Sequence, residues 1–125
     1  MKIVYIAHPI GGDVKMNIYR IIQIIRRIDL TRPDVIPFAP YVADVLALAD
    51  ERPEERERGL NNCLNVLRTG VCSEVWVYGL TISAGMQNEI CLAHSMGMPI
   101  KQMRSETFVP AHLREIIEIG YEVEP

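Results

Sequence analysis

Cysteine is scarce in this sequence, with single residues at positions 63, 72 and 91. Their spacings of nine and nineteen residues match neither a disulfide framework nor a zinc site, so we expect reduced and mostly buried thiols. Cys91 and His94 lie three residues apart on one face of a predicted helix, but two ligands do not make a metal site. The pattern therefore predicts no bound metal.

Long hydrophobic runs are also missing. No apolar stretch approaches the ~20 residues of a membrane-spanning helix, and the first residues do not resemble a signal peptide. The formal net charge of −3 and the pI near 5.6 argue against a protein that coats nucleic-acid backbones. We expect a cytoplasmic protein with neither a membrane nor a nucleic-acid polymer as its partner.

Two common nucleotide-binding fingerprints are absent as well. The segment HPIGG at residues 8–12 lacks the G-x-G-x-x-G spacing of dinucleotide-binding folds, and no segment has the form GxxxxGK. These absences disfavour a dehydrogenase or an ordinary nucleoside triphosphatase.

The sequence does contain enough apolar residues for one well-packed domain. Hydrophobic residues make up 49% of the 125 positions, and a chain of this size buries roughly two-thirds of its unfolded surface. Short apolar runs alternate with longer amphipathic ones, which is typical of a parallel sheet covered by helices. We therefore predict a single α/β domain over residues 1–125.

The apolar periodicity predicts the individual elements. Asp13 is placed to cap the first helix, and the charged run at 50–58 reads as a solvated loop and helix start. The predicted strands cover 2–7, 35–40, 75–78 and a segment from 100, with a further edge strand at 121–123. The first predicted helix begins at residue 14, and the others cover 41–50, 59–71, 83–96 and 110–119.

Three loops are expected to meet at the carboxyl edge of this sheet, where open parallel sheets bind ligands. They cover residues 7–13, 38–41 and 79–85. Gly11 and Gly12 in the first loop would let its backbone approach a phosphate or a sugar closely, although they also fit a simple tight turn.

The most informative segment is GLTISAGMQNE at residues 79–89. Its small residues join a strand to a helix, so the free N–H groups near Ser83, Ala84 and Gly85 can face an anion. Glu89 follows about one turn inside the helix, where the helix dipole favours an ionised carboxylate, a plausible nucleophile toward a sugar carbon. The same pattern also fits an ordinary turn in which Ser83 caps the helix.

Three segments carry a resemblance to a known family: YIAHPIGG at 5–12, SAGMQNEICLA at 83–93 and GMPI at 97–100. In this order they resemble the nucleoside 2-deoxyribosyltransferase superfamily, and most closely its small bacterial and phage branch. The resemblance runs from residue 2 to about residue 101. It implies a flavodoxin-like, doubly wound, mainly parallel sheet with helices on both faces, no metal or organic cofactor, and homo-oligomers such as dimers or tetramers with shared sites.

The resemblance also implies roles for two residues. Glu89 matches the family nucleophile, which attacks the anomeric carbon to give a covalent glycosyl ester. Tyr5 matches the first-strand tyrosine that positions this carboxylate, although a half-buried tyrosine also suits a strand.

Ser83 points to one branch of the superfamily. The 5′-monophosphate N-glycosidases carry a serine at this position to help bind phosphate, whereas transferases acting on free nucleosides tend to carry an acid. The expected substrate-binding residues therefore come from the loops over 7–13 and 79–85. Asn65 is added to them because it aligns with a position where the family has an acidic residue. They are His8, Gly11, Gly12, Ser83, Ala84, Gly85 and Asn65.

Two departures from the family concern proton transfer. Ser73 stands where the family commonly has an aspartate, and Asn65 cannot donate a proton as an acid does. Glu74, Asp44, His8 or a partner subunit would then have to protonate the leaving base.

We therefore expect an enzyme that cleaves an N-glycosidic bond, or transfers a (deoxy)ribosyl group, on a nucleotide or nucleoside. One alternative is a non-catalytic module of the same fold that senses a nucleotide or nucleotide sugar. A third is a structural oligomerisation domain.

Overall fold

A computed structural model of the protein describes residues 1–122. The strands are β1 (Lys2–Ala7), β2 (Val35–Phe38), β3 (Glu74–Val77), β4 (Ile100–Gln102) and β5 (Glu118–Ile119). The helices are α1 (Val14–Thr31), α2 (Pro40–Ala47), α3 (Pro53–Arg68) and α4 (Ala84–Ser95), with a 3₁₀ turn at Ala111–Leu113. Within the described residues, no helix combines the length and the apolar character needed to cross a membrane.

All pairings in the five-stranded sheet are parallel, in the order β2-β1-β3-β4-β5. The chain moves outward from β1 to β2 and then returns past β1 to β3, so the strand order reverses between β1 and β3. This is the flavodoxin-like order, in which the reversal leaves a crevice at the carboxyl ends of the two central strands. The prediction of a doubly wound α/β fold is confirmed.

The two faces of the sheet carry different helices. Side chains alternate along each strand, so Val4 and Ile6 of β1 pack on the α1 side with Ile28. Tyr5 and Ala7 point to the opposite face, which is covered by α3 and α4. Because the connection from β2 to β3 must cross β1, it carries α2 and α3 over Tyr5 and thereby encloses this side chain.

The first helix forms as its sequence predicts. The side chain of Asp13 accepts a hydrogen bond of 3.1 Å from the Met16 N–H, which satisfies one free donor of the first turn. Of the apolar positions that repeat along the helix, Ile21 and Ile28 are buried against the sheet.

Most predicted boundaries shift by a few residues, and two predicted elements differ more from the structure. The third helix begins at Pro53 rather than residue 59, since proline suits the first turn of a helix and the acidic residues after it favour the positive helix end. The predicted helix over 110–119 is instead a 3₁₀ turn followed by β5.

Tertiary contacts explain the second error. Lys101 pairs with Glu118 across β4 and β5, and Gly120 packs so tightly on this edge that an added methyl group would lie 2.7 Å from the Met103 sulfur. The strand therefore lies before the predicted edge strand at 121–123, whose last residue is outside the described residues.

Candidate active site

The three predicted loops meet at the carboxyl edge of the sheet. Gly79 has a φ of +92° and touches the first loop, since an added methyl group there would lie 2.6 Å from Pro9 Cδ. The Tyr41 hydroxyl, at the end of the second loop, donates a hydrogen bond to the Ile6 carbonyl. Thr107 fixes the third loop by donating from its hydroxyl to the Gly79 carbonyl.

Beneath this edge, Glu89 and Tyr5 form the centre of a buried cluster. Tyr5 is fully buried on β1, and its hydroxyl lies close enough to the Glu89 carboxyl to change the pKa of that group. Within the described residues, however, neither Tyr5 Oη nor Glu89 Oε2 has a hydrogen-bond partner of normal geometry. Buried polar atoms are nearly always paired, so two unpaired ones in one cluster make it the candidate active site.

Burial controls the protonation of Glu89. It raises the pKa of this carboxyl to about 7, and the hydrogen-bonding influence of the Tyr5 hydroxyl lowers the pKa only in part. Glu89 is the sixth residue of α4, and the effect of the helix dipole falls off within the first turn. Burial is therefore the larger effect, and it outweighs any help that the helix dipole gives to the ionised form.

The cluster also includes Tyr41 and Cys63, which the sequence analysis did not assign to the site. The rings of Tyr5 and Tyr41 lie 6.1 Å apart at an angle of 51°. Burial raises the pKa of the Cys63 thiol to about 11, while the neighbouring Tyr5 hydroxyl lowers the pKa. Tyr41 lies at the end of the loop over 38–41, which the sequence predicts to reach the site. This position is the one sequence feature that could have assigned Tyr41 to the site.

Tyr5 itself is held in its protonated form. Burial is the main cause that raises the pKa of the phenol, and the nearby Glu89 carboxyl raises it further. A protonated phenol donates its hydrogen, so Tyr5 can stabilise the negative charge of an ionised Glu89.

The start of α4 combines a cap with open space. The Ser83 hydroxyl accepts a hydrogen bond of 3.3 Å from the Met86 N–H, so Ser83 does cap the helix as one reading of the sequence proposed. Ala84 is exposed, and a methyl group added at Gly85 would meet no atom within 4 Å. The first turn of α4 therefore faces open space at Ala84 and in the side-chain direction of Gly85.

The first loop contributes residues of two kinds. His8 is buried, and its Nδ1 lies 2.6 Å from the Pro9 carbonyl oxygen; burial lowers the pKa of its imidazole. Gly11 and Gly12 lie exposed at the tip of the loop. The Asn17 side chain donates a 2.8 Å hydrogen bond to the Gly11 carbonyl, which ties this tip to α1.

Asn65 is not brought to the cluster. It lies on the exposed side of α3, where its side-chain oxygen accepts a hydrogen bond of 2.8 Å from Arg68. Cys63 and Leu67, two residues to either side of it, face the core instead. The expected contact of Asn65 with a substrate in the same chain therefore finds no support in its position.

Glu74 is also unsuited to the role of proton donor considered above. It begins β3, at the edge of the sheet opposite the loops, where Lys2 and Lys101 form ion pairs with it. Burial acts to raise the pKa of Glu74, but hydrogen bonds from Lys2, Trp76 and Lys101 outweigh it and lower the pKa to about 2. Such a carboxyl carries no proton to donate near neutral pH.

Asp44 is the alternative acid that lies on the correct side of the molecule. It projects from α2 toward α3, with Asn62 Nδ2 3.5 Å from its Oδ2, and its charge raises the pKa of Cys63.

For metal binding, the described part of the chain offers no group of three histidine, cysteine, aspartate or glutamate side chains.

Comparisons with known proteins bear on the family alone. No curated protein matches the chain, and no solved structure matches it either. One family model, described as a domain of unknown function (DUF7768), matches residues 2–103. This range contains the whole Glu89 cluster and four of the five strands, and the chain therefore belongs to the DUF7768 family.

Proposed function

We propose that the protein cleaves the N-glycosidic bond of a nucleotide or nucleoside, or transfers its (deoxy)ribosyl group, with Glu89 as the nucleophile. One observation carries the proposal: Tyr5 Oη and Oε2 of the half-buried Glu89 are both inaccessible to solvent, and within the described residues neither has a hydrogen-bond partner. A carboxyl with a pKa of about 7 is ionised in a substantial fraction of molecules at neutral pH. It is thus available for attack while remaining poorly solvated.

The chemistry follows from this pair of groups. The Glu89 carboxylate bonds to the anomeric carbon as the bond from that carbon to the base nitrogen breaks, and the electron pair leaves with the base, which takes up a proton. Water or a second base then displaces the glycosyl ester and frees the carboxylate. Tyr5 donates its hydrogen to one carboxylate oxygen and leaves the other free to attack.

A phosphorylated substrate suits the start of α4. The first helical N–H groups carry partial positive charge, and the open space at Gly85 leaves them accessible. A 5′-phosphate placed there would lie on the same helix as Glu89, whose position along α4 sets the distance between the phosphate and the sugar.

We further propose that the working unit is a homo-oligomer. Helix α2 has no buried residue, and Leu46 on it is 71% exposed. Leu60 on the adjoining α3 is also half exposed, so the two helices present an apolar surface beside the cluster. Surfaces of this kind usually mark a contact, and a partner subunit there would lie close to Asp44 and the leaving base.

A nucleotide-binding module without turnover is the second candidate. It is favoured by the positions of Asn65, which faces solvent, and Glu74, which is held by two lysines. Neither residue can protonate a leaving base from where it lies.

The test is base release from a panel of nucleosides and their 5′-monophosphates, followed by chromatography. We expect the wild type to release base and Glu89→Gln to reduce the rate at least about 100-fold, because the amide cannot form the ester. Glu57→Gln is the matched control, since Glu57 is an exposed glutamate on α3, and it should retain full activity.

Glu89→Gln should also remain folded. Above pH 7 it should be more stable than the wild type by roughly 3 kcal/mol, because it removes a carboxyl whose ionisation is disfavoured by burial. Turnover that persists in Glu89→Gln would exclude Glu89 as the nucleophile. Binding of monophosphates by a wild type that turns over none of them would favour the binding module.

A further inference from the structure

The α1 face of the sheet carries a large open groove. Within the described residues no long helix follows β4, so α1 is the main cover of this face. A groove of about 1010 Å³ remains between α1 and Tyr78, the residue that directly follows β3. This volume is at the upper end for small-molecule sites.

Four arginines line the groove, and within the described residues none of them forms an ion pair. They are Arg20, Arg26, Arg27 and Arg104. The only acidic residue in the lining is Glu106. A groove with this excess of positive charge, on a protein whose net charge is −3, attracts small anions locally.

Two of these arginines, Arg27 and Arg104, lie near an aromatic ring of the lining. The Arg104 guanidinium lies 5.9 Å from the centre of the Tyr78 ring. Burial raises the pKa of the Tyr78 phenol, and the nearby charges of Arg104, Arg32 and Arg27 oppose this rise. Tyr19, which is 60% exposed on α1, adds a second aromatic ring to the lining. The groove thus offers guanidinium groups for phosphates and flat rings for a planar base.

We propose that this groove binds a nucleoside polyphosphate, at a site separate from the Glu89 cluster. The polyphosphate would contact the arginines and the base would lie against the tyrosines. Tyr78 packs on the α1 side of the sheet, whereas Tyr5 packs on the side of α3 and α4, so the groove and the Glu89 cluster lie on opposite faces of the sheet. The two adjoin at the carboxyl edge, because His8, Gly11 and Gly79 of the first and third loops also line the groove. A second copy of the chain is a poor occupant, because a symmetric pairing would place arginines against arginines.

The experiment is calorimetric titration of the full chain with ADP, inorganic pyrophosphate and adenosine. We expect ADP to bind most tightly, because it alone engages both the arginines and the tyrosines. Affinity should fall as salt is raised, since these groups are partly solvent-exposed. Pyrophosphate binding as tight as ADP binding would overturn the role of the tyrosines, and no binding of ADP or pyrophosphate would overturn the site.

Two double variants locate the site. Arg27→Ala with Arg104→Ala should weaken ADP binding at least about tenfold, because each removes a charge-assisted contact. Arg56→Ala with Arg58→Ala removes the same charge from the exposed surface of α3 and should leave the affinity unchanged. Circular dichroism checks that both variants are folded. An equal loss in both, or a loss in neither, would overturn the proposal.

The Glu89→Gln variant separates this proposal from the proposed function. It should bind ADP as the wild type does, and the Arg27/Arg104 variant should keep any Glu89-dependent base release. If Glu89→Gln lost ADP binding while the arginine variant retained it, ADP would be bound at the cluster and the groove proposal would be wrong. Absence of base release in the wild type would leave the groove prediction standing.

Discussion

At the scale of single residues, Glu89 is governed by two opposing effects. Burial disfavours its charged form, and the Tyr5 hydroxyl favours it. Because the pKa in the folded state is raised from the usual 4.5 to about 7, the folded protein holds a proton that the unfolded chain has lost between these values. The folded protein therefore loses stability as the pH rises from about 4.5 to about 7. Above pH 7 this loss of stability is complete and no longer changes with pH.

Removing the phenol group should shift this balance. Tyr5→Phe deletes the group that lowers the pKa of Glu89, so the rise of kcat/KM with pH should move from near pH 7 to higher pH. Tyr41→Phe is the control, because its hydroxyl donates to the Ile6 carbonyl instead, and its profile should keep the wild-type position. The pH dependence of base release measures both. A Tyr5→Phe profile identical to that of the wild type would show that the phenol does not act on Glu89.

At the scale of elements, the start of α4 caps the helix and is the proposed phosphate site. Ser83 caps the helix through the Met86 N–H, and Gly85 leaves open space above the first turn. A glycine in a helix costs stability relative to alanine, and within the described residues no contact at Gly85 requires a glycine. Under the proposed function, room for a phosphate would account for that cost.

Gly85→Ala should therefore separate stability from binding. We expect the free energy of unfolding to rise by about 0.5 kcal/mol, while affinity for a 5′-monophosphate falls because the methyl group occupies the ligand's space. Gly59→Ala on α3 is the matched control, since its methyl group would lie 3.5 Å from Leu48, an ordinary contact. It should gain stability without losing affinity. Urea unfolding and calorimetry measure the two effects, and unchanged affinity in Gly85→Ala would place the ligand elsewhere.

At the scale of the whole molecule, the α2 and α3 surface is the expected subunit interface. If the proposed oligomer forms, Leu46→Glu should separate it into folded monomers, because Leu46 is 71% exposed in one chain and would be buried only at the proposed interface. Leu30→Glu is the control, since Leu30 is 69% exposed on α1 and should leave the assembly intact. Light scattering at micromolar concentration measures the mass. A wild-type monomer that turned over substrate would require the proton donor to lie within one chain, with Asp44 the first residue to mutate.

The sequence by itself determined the features that depend on neighbouring residues. Alternation of short apolar runs and amphipathic segments predicts the strands, most helices and the parallel sheet. Caps such as Asp13 and Ser83 are visible because their partners lie three residues away. The meeting of the three loops also follows, since the carboxyl ends of parallel strands share one edge.

Only the tertiary structure decided the features that depend on distant residues. The raised pKa of Glu89 results from burial beneath separate helices, which no local pattern records. Glu74 appeared free along the chain, yet the sheet brings Lys2 and Lys101 to it from neighbouring strands. The same holds for β5, because its pairing with β4 outweighed a helical pattern over 110–119. Long-range contacts thus set the charge state of the site, while local patterns set the elements that carry it.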